Sequence, residues 1–158
     1  MTRNPCTPQG FTALLAELKQ QKEVRRPKIV RDIEDARAHG DISENSEYED
    51  AKERQAHCEG RIAELEGFLA TAEVIDVAKL TPSDRVVFGT TVRIVNPNTR
   101  EERCFQIVGE TETDVERGKI SFKSPLGSAL VGRNLGDEVI VPAPGGRQTW
   151  EVIEVSYG

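Results

Sequence analysis

Two carboxylates three residues apart, Asp41 and Glu44, stand in the segment Gly40-Asp41-Ile42-Ser43-Glu44-Asn45-Ser46-Glu47-Tyr48. At the start of a helix that spacing puts both on one side of one turn, where they could share a hard, oxygen-seeking cation such as magnesium. Magnesium prefers an octahedral oxygen shell, so two ligands cannot hold it tightly and a partner must provide the rest. The same spacing also fits a capping box, a pattern that Ser46 and Glu49 repeat, and acids suit the positive end of a helix dipole. The two readings are compatible, and the spacing supports both. No other constellation suggests chemistry. Cys6, Cys58 and Cys104 form no Cys-x-x-Cys, and there is no Gly-rich phosphate loop and no Ser/His/Asp set.

The acids need a carrier. From Tyr48 onward, positions 48, 51, 55, 58, 62, 65, 69 and 72 are Tyr, Ala, Gln, Cys, Ile, Leu, Leu and Ala. Steps of three and four alternate, so one narrow seam runs along a helix, with Gln55 its only strongly polar member. Before Gly40 a similar seam uses Phe11, Leu15, Leu18, Ile29, Ile33 and Ala36, interrupted by Lys22 and Arg25. Pro27 removes a backbone donor, which predicts a kink or local weakening. Two helices of about 30 residues each, joined by a turn at His39-Gly40, are expected to pack as an antiparallel coiled-coil hairpin about 45 Å long. Charge is polarised along it. Lys19 to Arg31 holds six bases and one acid, and Asp32 to Asp50 holds eight acids and one base, Arg37. A solvated helix ordinarily mixes its signs.

Near residue 80 the chain changes character. Four of its 13 glycines and three of its eight prolines precede that point, and Thr81-Pro82-Ser83-Asp84 reads as a linker. Beyond it the period is two. Residues 86–88, 91–95, 104–108, 119–122, 138–141 and 150–155 read as strands, with turns at Asn96-Pro97-Asn98-Thr99 and Pro144-Gly145-Gly146. Ser124 caps a short helix that has Pro125 at its first position. The expected fold class is α+β: a hairpin over residues 1–80, then a small antiparallel β domain with one helix over residues 81–158.

With 158 residues, 30% charged and 37% hydrophobic, the chain has room for one or two small domains. A net charge of −6 argues against binding duplex DNA through bulk charge, and no independent duplex specificity is expected. No stretch reaches the roughly 20 apolar residues of a membrane span, and the first residues lack the apolar run of a signal peptide. The odd, scattered cysteines fit a reducing compartment, so a cytoplasmic location is expected.

The tip motif Gly-Asp-x-x-Glu-Asn-x-Glu-Tyr, Gly40 to Tyr48, closely resembles that of the bacterial Gre transcript-cleavage factors. Arg25-Arg26-Pro27 with Ile29 and Ala36-Arg37-Ala38-His39 look like the family's first arm. Cys58-Glu59-Gly60-Arg61-Ile62 and Val74-Ile75-Asp76 look like its second. Val87-Phe88-Gly89-Thr90-Thr91-Val92, Ile107-Val108-Gly109, Ser124-Pro125 through Gly132, Gly136-Asp137-Glu138-Val139 and Pro144-Gly145-Gly146 are family-like in the second half. The GreA branch fits better than GreB, which typically has a larger basic patch on its coiled coil.

The resemblance implies an FKBP-like C-terminal domain that docks on bacterial RNA polymerase at its secondary channel, with the hairpin reaching inward to a backtracked RNA 3′ end. Asp41 and Glu44 would then help hold a second magnesium and its attacking water, with Asn45 and Tyr48 in support. The factor would hold no cofactor tightly, sharing magnesium with the polymerase, and would not itself be an enzyme. Arg37 and Lys52 could meet the RNA backbone or be solvated charges. The basic run could contact polymerase or be an exposed face. Ser124, Pro125, Leu126 and Gly127 would belong to the docking surface, and a monomer is expected because the channel admits one hairpin. The alternative is a Gre-like inhibitor that occupies the same channel, although such relatives generally alter the tip. A prolyl isomerase needs an aromatic-lined pocket, for which this half offers only Phe88, Phe105, Phe122, Trp150 and Tyr157. Elongation factors with a zinc finger are excluded by the cysteine count.

Overall fold

The computed structural model describes residues 3–39 and 46–158. These form two compact units, one from Phe11 to Ala72 and the other combining Arg3–Gly10 with Glu73–Gly158. The fold is α+β, a helical hairpin and a β domain, as the two periods imply.

Helix α1 (Pro8–Gln20), which enters the first unit at Phe11, a five-residue π-helical turn (Gln21–Arg25) and α2 (Arg26–Ala38) follow one another directly, and α3 (Ser46–Ala70) returns alongside. Their seam buries Ile29, Ile33, Ala51, Cys58 and Ile62, with Leu18 and Tyr48 packed against it. One expected seam residue is displaced: Leu15 is 46% exposed and Leu14, at 8%, is buried instead. On the first arm the seam steps through 11, 14, 18, 21 and 25 and then 29, 33 and 36, so the step after 25 is one residue longer than strict alternation gives. The π turn absorbs that extra residue. It also accommodates Pro27: the Arg26 N–H reaches five residues back to the Gln21 carbonyl, widening the helix just where the proline has no N–H to donate. The expected weakening at Pro27 therefore takes the form of a π turn.

Arg25 lies half-buried on this seam and donates to Gln21 Oε1 at 3.1 Å, while its other nitrogen lies 3.1 Å from His57 Nδ1. Two of the six bases of the run Lys19–Arg31 are neutralised across the arms. Arg26 grips Glu59 at 2.7 and 2.8 Å, and Lys22 meets Glu66 at 3.5 Å. Nearer the base, Arg61 donates to both Glu17 oxygens at 2.5 and 2.8 Å.

The Arg61 hydrogen bond holds the Glu17 carboxyl below its ordinary range against the opposing effect of burial. A depressed carboxylate adds stability that is fully present above its unfolded pKa and is lost as pH falls through the folded value. Both side chains are about a third exposed, 31% and 35%, so solvent screening keeps the effect small. Arg61→Met is expected to cost about 0.5–1 kcal/mol at neutral pH. The gap to wild type should close as pH is lowered through the Glu17 titration, read by thermal melts followed through helical circular dichroism.

The second unit is built on a five-stranded sheet in the order β5 (Lys119–Ser121), β4 (Glu102–Val108), β3 (Thr91–Val95), β7 (Gly146–Ser156), β6 (Glu138–Ala143). Every neighbouring pair is antiparallel except β4–β5, which is parallel, so the expected all-antiparallel sheet is in fact mixed. The chain reaches β5 through two short 3₁₀ turns that end at Gly118, φ 74°, and these turn it to run alongside β4. The expected strand at 86–88 does not form. Val86 N–H donates to the Arg133 carbonyl at 2.7 Å and its carbonyl accepts from Gly132 at 2.8 Å, after which the chain turns at Gly89, φ 90°. Helix α4 (Pro125–Leu130) packs on one sheet face, and Val86, Val92, Ile94, Ile107, Leu130, Val139, Val141, Trp150 and Val152 make the core.

Composition places a boundary near residue 80, yet Arg3–Gly10 and Glu73–Leu80 fold with the second unit. The reason is β1 (Asn4–Cys6), which pairs with β2 (Ala72–Val74) and whose Cys6 carbonyl accepts from Ile75 N–H at 2.9 Å, together with a clamp centred on Glu112. The Glu112 carboxylate accepts the Thr7 and Gly109 N–H groups, each at 3.0 Å, and the Thr7 hydroxyl. A Cβ on Gly10 would collide with that carboxylate, and one on Gly109 with the Pro5 carbonyl. Burial first, and then the Glu112 charge, push the Cys6 thiol above its ordinary range, which makes it a poor nucleophile.

Candidate functional site at the hairpin tip

Asp41, Glu44 and Asn45 lie outside the described residues, so the site is read from the two helix ends that hold them. Helix α2 stops at Ala38, and the His39 N–H closes its last turn on the Ala36 carbonyl at 3.2 Å. Helix α3 starts at Ser46, which is already helical, so Ser46 is not the cap that its spacing to Glu49 suggested. Glu47 and Glu49 occupy the first turn of α3, where the dipole favours negative charge.

The two helix ends are tied together on both sides. On one side Arg54 of α3 donates to Asp32 of α2 at 3.1 Å and to Asp50 at 3.3 Å. The hydrogen bond to Asp32 raises the Arg54 guanidinium above its ordinary range, opposed by desolvation and helped by the hydrogen bond to Asp50. Beside this bridge lies a cleft of about 220 Å³ lined by Asp32, Asp35, Ala36, His39, Glu47, Asp50 and Arg54. On the other side the Arg37 guanidinium lies over the Tyr48 ring, 6.0 Å from its centroid.

Among the other expected residues, Lys52 is exposed and its ammonium donates to Gln55 Oε1 at 2.9 Å, which also satisfies the one strongly polar seam position. Ser124, Pro125, Leu126 and Gly127 belong to the other unit. Ser124 Oγ accepts the Gly127 N–H at 3.1 Å, the cap expected for this helix. Gly127 is buried and Leu126 packs on the core, while Pro125 is the one of the four that is exposed. Cys58 is buried on the seam as expected.

Sequence reasoning missed Arg54. Its partner Asp50 is four residues earlier on the same helix and could have been paired from spacing, but Asp32 required the register between the arms. Among the described residues no group of three or more His, Cys, Asp or Glu is placed to hold a metal ion, and no helix is long and apolar enough to cross a membrane. What the described frame offers is two helix ends locked in register on either side of a six-residue segment that carries two acids.

Comparison with known proteins covers the chain almost end to end. A family model described as transcription elongation factor, N-terminal, matches residues 4–74, and one described as transcription elongation factor, GreA/GreB, C-term, matches residues 81–157. Transcription elongation factor GreA of Rhizobium leguminosarum bv. trifolii (strain WSM2304) is 49% identical over 154 residues, covering 98% of this chain and 97% of that one. The GreA of Ruegeria pomeroyi is 50% identical over 157 residues, 99% of each chain. A solved prokaryotic transcription elongation factor GreA/GreB from Nitrosomonas europaea is 26% identical, covering 99% of this chain and 100% of that one, with a TM-score of 0.45.

Proposed function

The chain belongs to the GreA/GreB family of transcription elongation factors, and on that premise we propose that it binds backtracked bacterial RNA polymerase through the secondary channel and stimulates cleavage of the nascent RNA 3′ end. The observation that carries this is the acid pair Asp41 and Glu44 in a short segment between two helix ends that Arg54 and Arg37 hold in register. The second unit docks outside the channel, and the hairpin delivers the pair to the polymerase's own active site as a monomer in the cytoplasm.

Asp41 and Glu44 supply hard oxygen donors, which suit magnesium but are too few to retain it, so the polymerase acids and the RNA phosphate complete the shell. Held in this way by Asp41 and Glu44, magnesium would supply Lewis acidity, making the attacking water more acidic and offsetting charge on the phosphate. The carboxylates orient that water toward phosphorus. The water oxygen attacks phosphorus and gives up a proton, and the bond from phosphorus to the upstream 3′ oxygen breaks. The released fragment keeps the phosphate at its 5′ end, and the 3′ oxygen takes up a proton to leave a new 3′ hydroxyl for elongation. The factor contributes ligands to another enzyme's site and has no catalytic site of its own.

The test is transcript shortening in purified backtracked polymerase complexes with magnesium, with and without the protein, beside the protein mixed with RNA alone. Shortening faster than polymerase alone, with no cleavage in the polymerase-free sample, supports the reading. Binding that suppresses the polymerase's slow intrinsic cleavage would make the protein a channel-blocking inhibitor, and absence of binding would remove the partner.

A further inference from the structure

We propose that Arg37 is a positioning residue for the tip acids, acting through the face of Tyr48 and not through the RNA; this rests on the cleavage-factor reading above. Arg37 is the penultimate residue of α2, and Tyr48 is the third of α3. Their contact therefore closes the hairpin directly beneath residues 40–45. The 6.0 Å from guanidinium carbon to ring centroid is at the outer limit of a cation–π contact.

Tyr48 is a fixed platform, since its ring is packed against the seam formed by Ile29, Ile33 and Ala51. Arg37 is the only base between Asp32 and Asp50, among eight acids, and it stands in the last turn of α2, where the dipole favours a cation. With Arg54 bridging Asp32 and Asp50 on the opposite side, the arms are braced on both faces. Two carboxylates meet one ion only in a defined arrangement of the segment that carries them, and fixed ends lower the ordering cost that ligation must overcome.

A residue that acts through another has a signature. Stimulated cleavage in backtracked complexes is measured across a magnesium series for wild type, Arg37→Met, Tyr48→Leu, the double variant and Tyr48→Phe. Circular dichroism reports helix content for each. Arg37→Met and Tyr48→Leu are each expected to raise the half-saturating magnesium by about two- to five-fold, the scale of an exposed cation–π contact. The double variant should be no worse than the poorer single. Tyr48→Phe, which keeps the ring face, should shift the magnesium dependence less than Tyr48→Leu does.

Losses that multiply in the double variant, a lower maximal rate at unchanged magnesium dependence, or no effect of either single change would each overturn the brace and return Arg37 to direct RNA contact or to solvent. Arg37→Met alone decides the matter if Tyr48→Leu lowers helix content. Failure of the wild type to stimulate cleavage is a different outcome, because it overturns the functional reading itself.

Discussion

Alanine at Asp41 or at Glu44 is expected to cut stimulated transcript cleavage by about 100-fold or more, the scale set by removing one group that faces developing charge in a phosphoryl-type transition state. Binding to polymerase should stay within about two-fold, because the contacts that dock a long hairpin and a β domain are spread well beyond two side chains. Milder substitutions separate the two readings of this spacing. Asparagine caps a helix about as well as aspartate, and glutamine serves in a capping box as glutamate does. Asp41→Asn and Glu44→Gln should therefore keep helix content and polymerase binding yet lose cleavage, if the acids act as ligands. Retained cleavage would leave them as caps. Gel-resolved cleavage, a binding competition and far-ultraviolet circular dichroism settle it together.

Gly127→Ala is expected to destabilise the second unit by about 3 kcal/mol, at the upper end of what overpacking a filled site costs. A methyl there would overlap the Ser121 carbonyl oxygen and sit 3.0 Å from Ser124 Oγ. Neither neighbour can step aside. The Ser121 carbonyl accepts both the Ser124 N–H, at 3.0 Å, and its hydroxyl, at 2.7 Å, and that hydroxyl in turn accepts the Gly127 N–H. Relief requires lifting α4, whose Leu130 is wholly buried in the sheet core. A drop in melting temperature of about 12 °C or more should accompany the change. Gly127 looks like a docking residue in the sequence, and its place against Ser121 gives it a packing reason as well. A Pro125 substitution, at an exposed position, should leave the melting temperature nearly unchanged.

What could be read from the sequence was whatever repeats with a period. The α3 seam at Ala51, Cys58, Ile62 and Leu65 is buried as spaced, and the strands around Val92, Ile107, Val139 and Val152 lie where alternation puts them. What escaped depends on contacts far apart in the chain. Leu14 replaces Leu15 because the two are adjacent on a helix and only the partner arm decides between them. The π turn was marked by Pro27, but its form follows from the long step between Arg25 and Ile29. Val86 to Phe88 has strand-like residues, yet Gly89 turns the chain before a ladder can form. Nothing local marks Glu112 as the anchor of Thr7. At the site, the acids were visible as a pair from their spacing, whereas Arg54 and the Arg37–Tyr48 contact needed the register of the two arms.

The clamp at Glu112 has a consequence for synthesis. Because β1 belongs to the same unit as the C-terminal strands, the hairpin is an insertion into a discontinuous domain: β1 can pair with β2 once the hairpin is made, but the Thr7–Glu112 clamp that follows β1 closes only later. At ordinary elongation rates the remaining sheet emerges over roughly ten seconds. The hairpin, whose contacts are local, can fold on the ribosome during that interval. Thr7 meanwhile lacks the carboxylate that anchors it, which leaves the β1–β2 pair open to capture by chaperones or by a neighbouring nascent chain until Glu112 is made.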